Sequence, residues 1–569
     1  MQKITWGLAA AAFCAALAGG IGAAPQTSVL VRAVVAMAEQ PSASTAYGPS
    51  VYLIRYDHWT AEDERGYGEF IAAIGNADCH TVNDCLHSTG NPFRASDPEG
   101  IYFHSDCADL PYVLRAYYAW KRGLPFSYVS AVAPRGWSRD IRYTPNGNAV
   151  VDRHDVLSGT ISGYELLEEV RDAVSSATFR VHPDFDDPPP DFYSPKIAPG
   201  SIRPGTMIYD PNGHVGIVFN VDANGVIQYI DAHPDNGLTR GYYDERFMRA
   251  RPGMGAGFKN WRPLTLVGAR RRADGVLIGG HDVLASNKDI PDFSEVQFFG
   301  TGPRPADDAD WNDGGFQIGG QPLAYYDFVR ASLAGGKLQF DPVKEIGEMV
   351  ASNCADLHDR ALAVQLAIDS RIETRPEPNR LPPNIYGTEG DWETFSTPSR
   401  DARLKTAFKE VRDMAQRFVE MYRANDPKLL YDGGDLVSDL MARYEAEAGK
   451  CSVSYARTDG SNVTLSYEQA RQRLFRMSFD PYQCIERRWG ATDAAELSTC
   501  RDGSLKQAWY AAEQNLRNQI DRTYDTEMDF TLDELRTPGP GKGVPVPPNT
   551  DVLAYLMSVR GAVRGIAAR

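Results

Sequence analysis

The sequence has no excess of basic charge and, beyond its N-terminus, no long hydrophobic run. Its 75 acidic residues outnumber 59 lysines and arginines, so the 569-residue chain carries a net charge of −16. That balance argues against nucleic acid or an anionic membrane surface as the main partner. Because a helix needs about 20 apolar residues to cross a bilayer, a second membrane-spanning segment is excluded. A chain of this length exceeds one hydrophobic core, so roughly two to four domains are expected.

The N-terminus has the pattern of a secretory signal. Lys3 is followed by residues 4–20, which are almost all small or apolar and carry no charge. We predict a signal peptide over residues 1–24, with a later cleavage near residue 38 left open, and a polar linker over residues 25–50. The protein is therefore expected to be exported, to the periplasm or the extracellular space, without stable membrane insertion after cleavage.

Cysteine is scarce, and its number is informative. One of the eight cysteines, Cys14, lies in the predicted signal, which leaves seven. In an oxidising compartment an odd number leaves one thiol unpaired. Short loops between neighbouring cysteines, and the location of the remaining two in one C-terminal region, suggest the pairs Cys79–Cys85, Cys484–Cys500 and Cys354–Cys451. These pairings leave Cys107 as the free thiol.

Cys107 stands at the predicted start of an apolar helix, in the stretch Ser-Asp-Cys-Ala-Asp-Leu at residues 105–110. Asp106 is a good N-cap, Asp109 suits the positive end of the helix dipole, and Gly123 ends the helix. The residues between leave little polar face, so the helix should be central and buried. A thiol in the first turn faces unsatisfied N–H groups and the helix dipole, which should lower its pKa.

His214 begins a predicted strand, in the stretch Gly-His-Val-Gly-Ile-Val. A turn at Asp-Ala-Asn-Gly then returns the chain as a second strand. The four-residue loop pairs Val221 with Val226. The same register sets His214 opposite His233, and Asp231 lies two residues earlier on the same face. Three polar side chains therefore share one face of a sheet edge.

These residues suggest nucleophilic catalysis by a thiol. Cys107 would attack a carbonyl carbon as a thiolate, while His214 takes and later returns the proton. Either Asp231 or His233 would fix the tautomer and the orientation of His214. The Cys107 N–H would bind the oxyanion that forms during the attack. This chemistry needs no cofactor and no metal ion.

Two other interpretations of these residues stay open. In the first, Cys107 is a small buried hydrophobe and His214 is a strand histidine with satisfied hydrogen bonds. In the second, Cys107, His214 and His233 bind zinc, although the sequence contains no CxxC or HxxxH spacing to support such a site.

The two motifs together resemble the NlpC-type cysteine peptidases, in which a helix start of the form Asp-Cys-Ser-Gly precedes a Gly-His-Val-Gly-Ile strand and a further polar residue. The resemblance covers about residues 100–240 and implies a papain-like fold, with Cys107 as nucleophile and His214 as base. Asp231 or His233 would be the third group. The family typically cleaves peptide or amide bonds in bacterial cell-wall peptides. Here Ala-Asp replaces Ser-Gly after the cysteine, and no wall-binding repeat is recognisable.

Composition and periodicity divide the rest of the chain. We predict an α+β papain-like domain over residues 51–275, with the cysteine helix packed on an antiparallel sheet, and an irregular connector over residues 276–340. Apolar stripes at helical spacing predict a disulfide-stapled all-helical domain over residues 341–535. A Pro/Gly-rich tail over residues 536–569 would close the chain. Residues 125–200 are a turn-rich insertion, which lies beside the cleft or has no function.

The predicted function is that of an exported cysteine hydrolase acting on peptide or amide bonds, with a peptide or peptidoglycan-like substrate. One alternative is a transglutaminase-like acyl transferase, which also uses Cys, His and Asp in this order. Its histidine is usually followed by an aromatic residue, where Val215 stands here. The alternative from another class is an inactive exported binding or scaffold protein, which would have no reactive thiol.

Overall fold

The computed structural model describes residues 50–138, 140–383, 390–395, 397–520, 528–537 and 539–563. The predicted signal peptide, with Cys14, and nearly all of the predicted linker lie outside these residues. The described chain is mixed α+β with antiparallel sheets. One large hydrophobic core draws on residues 52–277 and a second on residues 331–556. Within the described ranges, no helix combines the length and the apolar character needed to cross a bilayer.

Helices and a central sheet enclose the first core. The helices are α1 (Ala61–Gly75), α2 (Val82–His87), α3 (Asp109–Arg122), α4 (Gly163–Ala173), α5 (Ser176–Phe179) and α6 (Val296–Phe299). The first eight strands are β1 (Ser127–Pro134), β2 (Asn148–Asp155), β3 (Phe192–Tyr193), β4 (Met207–Asp210), β5 (His214–Val221), β6 (Ile227–Ala232), β7 (Leu238–Tyr242) and β8 (Gly257–Trp261). Short strands follow as β9 (Leu264–Val267), β10 (Arg270–Arg271), β11 (Leu277–Ile278), β12 (His281–Leu284), β13 (Phe316–Ile318) and β14 (Gln321–Leu323).

The central sheet has the antiparallel order β3-β8-β4-β5-β6-β7, which confirms the predicted α+β class with an antiparallel sheet. Every residue of α3 from Asp109 to Trp120 is buried, and the helix shares its core with Ile217 and other residues of the sheet. α4 approaches α3 at Gly163, where a Cβ atom would lie 1.9 Å from the Trp120 ring. Only glycine permits this close contact.

The hairpin of β5 and β6 differs from its prediction at the loop end. A bulge inserts one residue into β5 after Val218, because the Asp222 carboxylate accepts the Val226 N–H and closes the turn one residue later. Val221 therefore pairs with Ile227, and the predicted pairing with Val226 is wrong. The pairs before the bulge keep the predicted register, so the site residues share the predicted face.

The C-terminal half is mainly helical. Its helices are α7 (Tyr325–Leu333), α8 (Pro342–Asp369), α9 (Gly390–Thr394), α10 (Thr397–Arg423), α11 (Leu436–Ala448), α12 (Tyr467–Arg473), α13 (Ile485–Arg488), α14 (Ala494–Leu497), α15 (Ser504–Ala512), α16 (Gln514–Asn518), α17 (Leu532–Arg536) and α18 (Val552–Val563). The helix α18 lies in the segment predicted to be a tail, and it buries Val552 and Leu556 in the second core.

The prediction of an all-helical C-terminal domain is wrong, because the strands β15 (Ser452–Ala456) and β16 (Asn462–Ser466) form a hairpin within it. Buried and exposed residues alternate along β15, where Val453 and Tyr455 face the second core. This period of two is the period of a half-buried strand. The hairpin turn contains Gly460 at a positive φ, a conformation that glycine adopts readily.

The three predicted disulfides are confirmed. The structure pairs Cys79–Cys85, Cys354–Cys451 and Cys484–Cys500. Cys107 is the free cysteine of the described residues. Disulfides of this kind form and persist in oxidising compartments.

The helices α8 and α10 are joined by a buried ion pair. Arg360 Nε on α8 lies 2.6 Å from Asp401 Oδ1 on α10, and both side chains are almost fully buried. One residue before Asp401, Arg400 bonds Asp235 beyond the end of β6, with Nη1 2.9 Å from Oδ2. The start of α10 is thus fixed both to the second core and to the central sheet.

Asp401→Ala should destabilise the C-terminal half strongly. The change leaves the Arg360 guanidinium buried without its carboxylate, which costs about 3–5 kcal/mol of unfolding free energy. Asp413→Ala on the same helix is the control, since its exposed pair with Lys409 is worth less than about 1 kcal/mol. Urea denaturation of both variants measures the difference. Equal midpoints would show that the Arg360–Asp401 pair does not hold α10 in place.

Candidate active site

Cys107 lies in a turn directly before α3. The Asp106 carboxylate accepts the N–H groups of Ala108 and Asp109, at 2.8 and 3.0 Å. The Leu110 N–H donates to the Asp106 carbonyl oxygen at 3.1 Å, so the first helical hydrogen bond spans the cysteine. Asp106 therefore satisfies the first free N–H groups of the helix, as its position in the sequence predicted. Cys107 lies half-buried beside it.

The predicted lowering of the Cys107 pKa is wrong. Burial raises the pKa of the thiol well above its ordinary value, the Asp106 carboxylate raises it further, and a hydrogen bond from the Val215 backbone opposes them less strongly. The N–H groups that were expected to stabilise a thiolate already donate to Asp106. Because a carboxylate occupies the positive end of the helix, the resting thiol keeps its proton.

His214 and Asp231 form a direct hydrogen bond on the buried face of the sheet. His214 Nε2 lies 2.5 Å from Asp231 Oδ2, and both side chains are buried. His233 is farther from that carboxylate, at 3.9 Å, and its Nε2 instead lies 3.1 Å from the Thr239 hydroxyl. The Thr239 hydroxyl donates to the other oxygen of Asp231. Of the two residues that the sequence left open, Asp231 is the one that hydrogen-bonds His214, whereas the His233 ring stacks on it with the centroids 5.8 Å apart.

The electrostatics of this pair favour a neutral imidazole beside an ionised carboxylate. Burial lowers the pKa of His214, and the Arg403 guanidinium lowers it further. Burial alone would raise the pKa of Asp231, but the hydrogen bond from His214 and the adjacent His233 hold it below its ordinary value. Burial and the nearby Arg400 lower the pKa of His233 to about 3.

The Cys107 sulfur lies against the backbone on both sides of His214. Its thiol donates to the Gly213 carbonyl oxygen, with Sγ 3.8 Å from that oxygen, and the nearby Val215 backbone lowers the pKa of the thiol. Because Asp231 occupies Nε2 of His214, Nδ1 is the ring nitrogen left for another partner. The structure thus places Cys107 against the backbone next to His214, and His214 in a hydrogen bond with Asp231.

Part of the insertion at residues 125–200 reaches this site. Gly213 has a φ of +89°, and a Cβ atom there would lie 3.2 Å from the Tyr143 hydroxyl and 3.3 Å from Ser176 Oγ. Glycine is needed at this position for its positive φ and for these close contacts. Tyr143 and Ser176 therefore flank the strand end that carries the histidine.

Asn236 is a supporting residue that the sequence analysis missed. Its amide oxygen accepts the Ser105 N–H at 3.2 Å, and its amide nitrogen donates to the Phe103 carbonyl oxygen at 3.2 Å. The Phe103 N–H also donates to Asn83 of α2, within the loop closed by the Cys79–Cys85 disulfide. The segment that leads into Cys107 is thereby held from two sides. The Asp-Asn-Gly turn just after His233 was the only local signal.

Two arginines from α10 approach the same site and were also missed. Arg400 pairs with Asp235, and Arg403 Nη1 lies 3.9 Å from Asp210 Oδ2, on the strand next to His214. They are three residues apart, so they lie on one face of the helix. Their contacts join residues more than 150 positions apart, so no local pattern could have indicated them.

A metal site at these residues is not supported by their spacing. Among the residues that the structure describes, one group of His, Cys, Asp or Glu side chains brings three ligand atoms within 4.8 Å of one another, namely Cys484, Cys500 and Asp502. Its two cysteines form a disulfide and are not available as ligands. The zinc ligands suggested as an alternative, Cys107, His214 and His233, do not form such a group.

The chain matches no family model, no curated protein and no solved structure.

Alkylation of the unreduced protein in urea should label one cysteine of the mature chain, at Cys107. The other six are paired and cannot react until they are reduced. Peptide mapping by mass spectrometry locates the label, and Cys107→Ser, which should take up none, is the control. A label on any of the paired cysteines would contradict the assigned disulfides.

Proposed function

We propose that this protein is an exported cysteine hydrolase with a papain-like, NlpC-type catalytic domain, which cleaves peptide or amide bonds in cell-wall peptides. The observation that carries the proposal is the 2.5 Å His214–Asp231 hydrogen bond beside a free thiol that lies against the same strand. A buried helix packed on an antiparallel sheet agrees with that type of fold. Three disulfides fit an oxidising compartment.

In the proposed reaction, Cys107 Sγ forms a bond to the carbonyl carbon of the substrate while its proton passes to His214 Nδ1. Asp231 stabilises the imidazolium that results. Within the described residues, the Cys107 N–H donates to no protein acceptor, so it is free to bind the oxyanion. The C–N bond then breaks as His214 protonates the leaving amine. Water, deprotonated by His214, hydrolyses the thioester and regenerates the thiol.

The resting pair is proposed to be neutral. The raised pKa of Cys107 and the lowered pKa of His214 both disfavour a resting thiolate–imidazolium pair. Proton transfer therefore accompanies the attack and does not precede it. Because His214 is the base and its pKa is lowered, activity should be lost only when the pH falls below the ordinary histidine value of about 6.5.

His214→Ala should slow the alkylation of Cys107 in the folded protein. Without the imidazole, no group takes the thiol proton, so we expect a rate at least ~10 times lower at pH 7.5 with iodoacetamide. The measurement is the alkylation rate between pH 5 and 10. His154→Ala, which changes a histidine elsewhere, is the control and should match the native protein. Equal rates in all three proteins would show that the thiol and His214 are not coupled.

Asp231→Asn and His233→Gln should separate the two candidates for the third residue. An uncharged asparagine amide cannot stabilise the imidazolium, so we expect amide hydrolysis by Asp231→Asn to fall by at least ~100-fold. The glutamine amide of His233→Gln can still donate to Thr239, so the loss in that variant should stay within ~10-fold. Mass spectrometry of a digest of purified cell-wall peptides measures both rates. A larger loss in His233→Gln would make His233 the third residue.

A second candidate function, an inactive exported binding protein, is favoured by one observation. The Asp106 carboxylate takes the N–H groups that would stabilise a thiolate, and it raises the pKa of Cys107. Such an arrangement suits a cysteine with no nucleophilic role. The alkylation rates decide between the two, because a binding protein has no reason to lose thiol reactivity when His214 is removed.

A further inference from the structure

The first turns of α10 bring Arg403 close to Asp210, which pairs with His214 across β4 and β5. The Arg403 guanidinium lies over the Phe247 ring, with Cζ 4.8 Å from the ring centroid, and Phe247 in turn contacts the ring of His214. Arg403 Nη1 lies 3.9 Å from Asp210 Oδ2, which is longer than a hydrogen bond. Arg403 therefore acts on Asp210 and His214 mainly through its charge.

Several charged or titratable groups face His214. They are Asp210 on β4, Asp231 on β6, His233 after β6, Asp106 and Cys107 before α3, and Arg403 on α10. Carboxylates predominate in this set, and each of them favours protonation of the imidazole. From the helical half, Arg403 is the cation that acts on His214, while Arg400 beside it acts on Asp231 and His233. Asp359 on α8 adds one more carboxylate near Asp231.

The positive charge of Arg403 favours the neutral form of His214, which is the form that can act as a general base. It disfavours the imidazolium form of His214 and favours the carboxylate form of Asp231. His214 and Asp231 are buried, so the charge of Arg403 is poorly screened where it acts on them. A neutral imidazole beside an ionised aspartate is the state that can accept a proton from the thiol.

The position of Arg403 is set by the rest of α10. Two residues before it, Asp401 is held by Arg360, and three residues before it, Arg400 is held by Asp235. These contacts come from different cores and fix the same helical turn. The arginine side chain is consequently held at one place relative to β4 and β6.

We propose that Arg403 is a positioning residue of the active site, through which the C-terminal helical half keeps His214 unprotonated and Asp231 ionised. The proposal rests on the proposed hydrolase function for its catalytic meaning. It makes the helical half part of the catalytic unit, and not a separately attached module.

The test is a titration of His214 by NMR on full-length protein whose histidines carry ¹³C at Cε1, with the signal assigned through His214→Gln. In Arg403→Gln we expect the pKa of His214 to rise by about one pH unit, because a nearby positive charge is removed. The acid limb of kcat/KM should move up by the same amount. Arg403→Lys keeps the charge and should restore both values.

Arg417→Gln is the matched control. Arg417 lies on the same helix, about 21 Å farther along at 1.5 Å per residue, and forms its own ion pair with Asp327. Its loss should leave the His214 titration unchanged. Arg403→Met, which retains an apolar contact with Phe247, replaces Arg403→Gln if the latter does not fold.

An unchanged His214 pKa in a folded Arg403→Gln or Arg403→Met variant would overturn the proposal. Failure of both variants to fold would also contradict it, since Arg403 would then serve stability. The titration does not depend on thiol chemistry. A shifted His214 pKa with an unreactive Cys107 would refute the hydrolase function alone, and hydrolysis without a shift would refute the role of Arg403 alone.

Discussion

The hydrogen bond between His214 and Asp231 is the interaction on which the arrangement of this molecule depends. A carboxylate buried in a sheet is costly unless charges and donors compensate it. Asp231 receives that compensation from His214, from the Thr239 hydroxyl and from the field of Arg403, which belongs to a different core. The buried charge thus couples the central sheet electrostatically to α10, whose first turns are held by the Arg360–Asp401 and Arg400–Asp235 pairs.

The environment of Cys107 shows how one capping residue changes the chemistry of its neighbour. The turn before a helix offers few N–H donors, and a carboxylate or a thiolate can use them, but not both. In this chain Asp106 takes them. The helix gains a stable start, and the sulfur loses the stabilisation that an ion pair with His214 would need. In the proposed reaction, the thiol then depends on the imidazole at the moment of attack.

Local sequence patterns were sufficient for much of the fold and for the places of Cys107 and His214 in it, but they did not choose between Asp231 and His233. The apolar run after Cys107, the odd number of cysteines and the Gly-His strand each depend on neighbours in sequence, and the structure agrees with the helix, the disulfides and the strand. The bulge in β5 arises from a side-chain contact of Asp222 that spacing does not reveal. Arg403 belongs to a distant segment, so only the packing of the two cores brings it to His214.

The small loop closed by the Cys79–Cys85 disulfide links the site to the redox conditions around the protein. The loop carries Asn83, whose side chain holds Phe103 in the segment that presents Cys107. This brace is complete only where the disulfide can form, whereas a newly made chain is synthesised under reducing conditions. For the exported hydrolase that we propose, synthesis of the polypeptide and completion of the segment that carries Cys107 are thereby separate events. The chemistry of the compartment, and not the chain alone, determines when the thiol acquires its final setting.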